Sequence, residues 1–187
     1  MLELSVELPS ENIDTEKITK RIQAGIERLF KDAVLEYIKT VDQIVPVLTG
    51  QAKGVFNAII NALGLVYSMD MTPNSPYTYE IVLKGGITRR EYLIAHGQSP
   101  EAGEEATTVT FGFQGDNFVF LVNWDAFEGY KDFNYYAVHE DKWQTIATGV
   151  SIIFDYMQKA DLDNYIPNLF SNEFIIYILG QEIDLYA

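Results

Sequence analysis

Cysteine is absent, which removes disulfides, thiol nucleophiles and cysteine-ligated metals together. Histidine is nearly absent too, and His96 and His139 alone cannot build a histidine-rich zinc site. No apolar run approaches the ~20 residues that span a bilayer. The longest, Phe174–Gly180, is far too short. The opening MLELSVELPSENID is acidic and lacks the basic start and long apolar core of a secretory signal. A soluble chain made in the cytoplasm, with no membrane partner, is the expectation. Basic residues are scarce in one half only. Residues 1–93 hold 10 Lys/Arg against 12 Asp/Glu, whereas residues 94–187 hold 3 against 15. Nearly all of the net charge of −14 therefore sits in the second half. Such a surface repels phosphates and excludes a conventional DNA-binding face. It suits a solvated exterior, a wall past which DNA travels without adhering, or an imitation of DNA.

The motifs of common chemistries are missing as well. The chain has no G-x-x-x-x-G-K-[ST], no G-x-G-x-x-G after a strand, no G-x-S-x-G and no H-E-x-x-H. His139-Glu140-Asp141 is the cluster that could hold a metal or move a proton, and a polar patch beside Trp143 is the plainer reading. Glu104-Glu105 and Asp161/Asp163 could act as an acid–base pair only if held ~5–10 Å apart in a cleft; otherwise they are solvated charges. No catalytic, cofactor-binding or metal-binding residue is expected.

What is present belongs to a folded protein. At 187 residues the chain can bury about 70% of its unfolded surface, and its 48% apolar content is far from that of a disordered chain. Leu2, Leu4, Val6 and Leu8 alternate with polar residues, predicting an opening strand. Asp14 can cap a helix over residues 14–44. Its apolar stripe runs through Ile18, Ile22, Ile26, Leu29/Phe30, Ala33/Val34, Tyr37, Val41 and Ile44. A helix with one such stripe should lie across a sheet. Gly25 weakens it by up to ~1 kcal/mol without ending it. Pro46 stops it, Thr49 can cap the next helix, and Ala52, Val55, Phe56, Ile59, Ile60 and Leu63 give that helix its apolar face. Gly64 suits a left-handed cap beyond its end.

Residues 65–106 are less orderly and read as an insertion or extended loop region. Within them Tyr77–Leu83 resembles a strand, Thr88–His96 a short helix or a strand, and GQSPEAGEEA an acidic loop. A hairpin follows, with Thr107–Phe113 and Phe118–Trp124 joined by Gln114-Gly115-Asp116-Asn117. Gln144–Gln158 has helical spacing through Ile146, Val150, Ile153, Phe154 and Met157. The ending NEFIIYILGQEIDLYA fits a buried strand or helix equally. The economical architecture is a single α+β domain over residues 1–187. In it a long N-terminal helix and a second helix pack on a small, mostly antiparallel β-sheet.

Tyr130, Phe133, Tyr135, Tyr136, Trp143, Tyr156 and Tyr165 crowd one third of the chain. They serve the core or a subunit contact, where such residues are typical anchors. The basic clusters Arg89-Arg90 and Lys17/Lys20/Arg21 are ordinary exposed faces or meeting points for an acidic neighbour.

Pro46-Val47-Leu48-Thr49-Gly50-Gln51-Ala52-Lys53 resembles the P-x-x-T-G-x-hydrophobic-K/R signature of the neck and tail-completion (minor tail, tail-component) family of tailed bacteriophages. In that family a long helix leads into the signature, which opens the next helix. A β-hairpin comes later, followed by an asparagine and a Y-A-x-x-x-E segment. Here the hairpin is followed by Asn123-Trp124 and Tyr135-Tyr136-Ala137-Val138-His139-Glu140, with two residues and not three between Ala137 and Glu140. The likeness covers residues 14–65 and 107–158. Leu48 stands where the family often has Asp, and Asp141 where it commonly has Gly.

The resemblance implies a non-enzymatic virion protein. It would form a homo-oligomeric ring, a hexamer or dodecamer, at the head–tail junction. Connector and tail proteins would be its neighbours, and DNA would pass through without specific binding. Pro46, Thr49, Gly50, Lys53, Asn123, Tyr136 and Glu140 would lie near subunit contacts, with Thr49 and Gly50 setting the angle between the helices. The location implied is the host cytoplasm during assembly and then the virion. The alternative that charge supports is an acidic DNA mimic that inhibits a host DNA-binding enzyme.

Overall fold

The computed structural model describes residues 15–74, 85–124 and 144–167. The expected strands at 2–8 and 77–83, the Asp14 cap, the aromatic segment from 125 to 143 and the C-terminal apolar run lie outside the described residues. The fold is α+β. In chain order it comprises α1 (Thr15–Ile44), α2 (Gln51–Leu63), α3 (Arg89–Ala95), α4 (Pro100–Glu105), β1 (Thr107–Gln114), β2 (Asn117–Trp124), α5 (Thr145–Lys159) and a 3-10 turn, Leu162–Asn164. Among the described residues no helix is long and apolar enough to cross a membrane.

The chain divides into two compact units, residues 30–158 and residues 1–29 with 159–187, and α1 contributes to both. At 30 residues, α1 extends about 45 Å. In the larger unit its Val34, Ile38 and Val41, and Val45 just beyond its end, are buried against Ile59, Ile60 and Leu63 of α2 and against Met69. The spacing 34-38-41-45 follows the 3.6-residue turn, so the buried stripe ends at Val45. Ile44, placed in the stripe on sequence, is 40% exposed. Ile38, left out of it, is fully buried.

The β-layer closes this core. β1 and β2 pair antiparallel with Val109 opposite Val122, Phe111 opposite Phe120 and Phe113 opposite Phe118. Phe30 of α1 meets Phe111, Phe118 and Phe120 at ring-centroid separations of 5.8, 5.0 and 5.1 Å. Aromatic pairs at such spacing contribute beyond the area they bury. The hairpin turns through Gly115 and Asp116, and only Gly115 has positive φ (63°), the pattern of a type II′ turn. α5 joins through Ile153, which packs against the core. Its Gly149 lies against the Tyr37 ring, where a Cβ would come within 2.7 Å of Cε2.

The smaller unit shows why Gly25 stands within α1. A Cβ there would sit 2.3 Å from Ile166 Cγ1 and 2.8 Å from the Tyr165 carbonyl. The glycine admits the 162–167 segment to the helix surface. Arg21 Nη2 donates to the Pro167 carbonyl at 3.0 Å, Arg28 donates to the Asn164 carbonyl, and the Arg28 guanidinium lies 5.3 Å from the centroid of the Tyr165 ring. Asp161 caps the short turn by accepting from the Asp163 amide.

Two stretches depart from expectation. GQSPEAGEEA, read as an acidic loop, contains α4. Ser99 caps it by accepting from the Ala102 amide, Pro100 occupies its first turn and Glu101 adds a favourable first-turn carboxylate. Thr88–His96, undecided between helix and strand, contains α3. A reciprocal box fixes its start: Thr88 accepts from the Glu91 amide and Glu91 accepts from the Thr88 amide.

Candidate functional site at the helix corner

Between Asp42 and Asp70 the sequence contains one charged residue, Lys53. The structure puts that lysine inside the protein, 1% exposed. Its ammonium donates to the Asp42 carbonyl (2.8 Å), to Asp42 Oδ1 (2.6 Å) and to the Asp70 carbonyl (2.8 Å). Three donors thus have three acceptors. The Asp42 side chain, 10% exposed, also accepts from the Tyr67 hydroxyl at Oδ2 (2.8 Å) and from the Asp70 amide at 3.1 and 3.2 Å. Burial, and then the hydrogen bond to Asp42, push the Tyr67 phenol above its ordinary value. This network pins the C-terminal turns of α1, the second residue pair of α2 and the strap after α2 to one point.

The turn itself is equally committed. The Val47 amide donates to Asn74 Oδ1 (2.7 Å) and the Asn74 amide returns to the Val47 carbonyl (3.0 Å). Arg90 Nε donates to the Leu48 carbonyl at 2.9 Å. Gly50 is the first flanking residue of α2, with φ 86° and ψ −4°, a left-handed conformation that costs other residues ~1–2 kcal/mol. A Cβ there would also meet the Pro100 ring at 2.5 Å.

The expected capping role of Thr49 is therefore corrected. The cap position belongs to Gly50, no side chain caps α2, and Thr49 Oγ1 only accepts a long 3.5 Å contact from the Gln51 amide. The Gly64 expectation holds: it is left-handed (φ 65°), and the Gly64 and Leu65 amides return to Asn61 and Ile60.

α4 seals the corner from outside. A Cβ at Gly54 would lie 2.0 Å from the Pro100 carbonyl, and one at Gly103 would lie 2.1 Å from the Gln51 carbonyl. Each glycine lets the other helix approach backbone to backbone. Asn61 Nδ2 donates to Glu104 Oε1 (2.5 Å), which ties α4 to α2.

Of the residues the resemblance singled out, Pro46, Thr49, Gly50 and Lys53 come together here. Thr49, Gly50 and Lys53 are buried and Pro46 is half-buried. Lys53 faces inward, bound wholly within its own chain. Asn123 lies apart on the exposed face of β2, opposite Thr108. Tyr136 and Glu140, and with them His139, lie outside the described residues. Sequence reasoning missed Asp42, Tyr67, Asp70, Asn74 and Pro100, and it read Arg90 with Arg89 as an exposed face or a meeting point for an acidic neighbour, whereas Arg90 is half-buried and donates to the Leu48 carbonyl. The lone charge between two aspartates was a readable signal for the first and third of these.

Chemically, the corner holds shape. Both charges of the Lys53–Asp42 pair are met by partners inside the chain. Among the described residues no group of three or more His, Asp or Glu side chains is placed to hold a metal ion. Comparison with protein families, with curated proteins and with solved structures returned no match.

Proposed function

We propose that the chain is a virion structural protein, a neck or tail-completion subunit that forms a ring at the head–tail junction through which DNA passes. The observation that carries this reading is the helix corner. The P-x-x-T-G-x-A-K segment leads from a 30-residue helix into the helix it opens, and its Lys53 side chain and its Val47 and Leu48 backbone are bonded to neighbouring elements that fix the angle. A β-hairpin ending in Asn123-Trp124 follows in the chain, so the described elements keep the order the resemblance implies. A subunit that must tile into a closed ring needs a fixed wedge angle, since a small angular error repeated around the ring prevents closure. The acidic second half, turned toward the channel, suits DNA passage because each cation–phosphate contact adds affinity and therefore drag.

The same acidity favours a second reading, a DNA mimic that occupies the DNA site of a host enzyme. Two measurements separate them. Mass spectrometry of purified virions, with particle imaging of the isolated protein, should find the chain in particles and show rings of six or twelve copies. A chain that stays monomeric and is missing from virions sinks the ring reading. Binding to a DNA-processing enzyme that weakens steeply with salt would then favour the mimic.

A further inference from the structure

We infer that the free edge of β2 is where two copies of the chain join, strand against strand, into one continuous sheet about a two-fold axis. The sheet of each copy has two strands, β1 and β2. α2 and α4 pack against β1, and among the described residues no strand lies on the far side of β2. The hairpin loop is two residues long, so its closing pair, Gln114 and Asn117, exchanges hydrogen bonds across the hairpin. Alternate pairs beyond it do the same: Gly112 with Val119, Thr110 with Leu121 and Thr108 with Asn123. Phe118, Phe120 and Val122, which lie between, turn their N–H and C=O groups the other way, to the outer edge. Such a row is a template for another strand, and proteins ordinarily blunt it with charge, proline, a bulge or brevity. β2 is eight residues, NFVFLVNW, with no charge and no proline, and its register with β1 runs without a bulge.

The order of residues selects the occupant. Asn117-Phe118-Val119-Phe120-Leu121-Val122-Asn123 reads nearly the same from either end. An antiparallel β2 of a second copy, centred on Phe120, sets Asn117 opposite Asn123, Phe118 opposite Val122, Val119 opposite Leu121 and Phe120 opposite Phe120. The outward-bonding residues 118, 120 and 122 are symmetric about that same centre, so each meets another outward-bonding residue. A slip of one residue loses the match and turns the side chains to the wrong faces. Burial agrees with this pairing. Leu121 is 50% exposed, Val119 is half-buried and both asparagines are exposed. Leu121 is thus covered by Val119 of the second copy, and the asparagine pairs form the polar ends. Charge permits the approach as well. Each copy carries −14, but β2 sets no charged side chain against another, and Asp116 falls beyond the end of the shared strands. The contact is isologous, so it goes beyond the ring reading and does not depend on it; a ring needs a further, head-to-tail contact.

The test uses the full chain, which has no cysteine of its own. Across the two-fold axis residues 117 and 123 form a non-hydrogen-bonded pair, with Cα atoms ~4.5 Å apart, within reach of a disulfide. Asn117→Cys and Asn123→Cys, prepared separately, mixed and mildly oxidised, should give a linked pair containing one of each, whereas either alone should give little. Sedimentation velocity across protein concentrations should show a dimer. Leu121→Lys should raise its dissociation constant about tenfold or more while leaving the urea midpoint nearly in place. Added salt should tighten the wild-type dimer, because it screens the repulsion between two acidic copies. A chain that stays monomeric overturns the inference, and so does a dimer that is undiminished by Leu121→Lys or fails to give the mixed link. Rings on the particle without that link overturn this inference alone. A linked dimer that is missing from particles overturns the ring reading alone.

Discussion

At the helix corner a lysine is buried to 1% exposure and given three oxygens. In α3 a tyrosine and two isoleucines stand in or beside the helix with none of that helix's residues buried. The two regions touch, through Arg90 and Leu48, but they handle unfavourable groups in opposite ways. The corner hides a charge and satisfies it completely, the condition under which a buried ion is tolerated. α3 leaves apolar surface where water reaches it. Substitutions should sort accordingly, with the larger loss of fold stability at the corner and the smaller at α3.

Lys53 is the place where the contrast should be widest. Lys53→Ala removes one partner of a buried pair and leaves the Asp42 carboxylate facing Tyr67 and the Asp70 amide without its cation. Breaking a buried pair in this way costs about 3–5 kcal/mol. Urea unfolding of the full chain measures it, and a loss below about 1 kcal/mol would mean that the corner is not the buried hub described here. Lys53→Met should recover part of the loss by filling the volume, though not the part due to the stranded carboxylate.

Next in size is the clasp between α2 and α4. Gly54→Ala drives a Cβ to 2.0 Å from the Pro100 carbonyl and 3.0 Å from the Glu104 amide. Both are backbone atoms that cannot rotate away, so α4 must shift, at about 1–3 kcal/mol or more. Gly64→Ala is the matched control: nothing lies within 4 Å, and only its φ of 65° is unfavourable, so about 1 kcal/mol is expected. Equal losses in the two variants, read from thermal or urea midpoints, would show that α4 does not press on α2.

Much of this was legible in advance, and the misses share a cause. The 3.6-residue stripe announced α1 and α2, Pro46 and Gly64 announced where they stop, and the short β-rich runs announced the hairpin. Each of those signals is local. α3 and α4 were also locally encoded, by Thr88-x-x-Glu91 and by Ser99-Pro100. Their helices are so short, however, that apolar periodicity has no length in which to appear, and the acidic composition of the second argued for a loop. The cap at Gly50 displaced Thr49 by one residue because the approach of Pro100, distant in sequence, decides what fits there. Asn74 and Arg90 closing on Val47 and Leu48 follow from tertiary folding that no window of sequence contains. At the candidate site the charges could be paired from sequence, since Lys53 stands alone between Asp42 and Asp70, whereas the seal around them could not.

The smallest expected effect concerns pH and falls on the less orderly region. Hydrogen bonds from the Thr72 hydroxyl and amide hold the Asp70 carboxyl below its ordinary range. The Thr88 amide and hydroxyl do the same for Glu91, and the Glu101 amide and Ser99 hydroxyl for Glu101. A carboxylate depressed by folding binds its proton less readily in the native state than in the unfolded chain. Its stabilisation is therefore fully present above the ordinary value near ~4 and is lost as pH falls through the depressed one. Tyr67 has the opposite sign at the other end of the scale. With its phenol raised, its contribution is intact below about 10 and is lost as pH rises through the raised value. All three depressed carboxylates are exposed, so the acid loss should be modest and should appear first as faster amide exchange in α3 and α4, before α2 is affected. Glu91→Gln removes one titrating member while keeping an acceptor for Thr88. Compared with wild type at each pH, it should lose less protection in α3 between pH 5 and pH 3, values chosen to bracket ~4. If α2 and α3 lose protection together in both proteins, acid is acting on the whole unit and the division between a sealed corner and an open α3 fails.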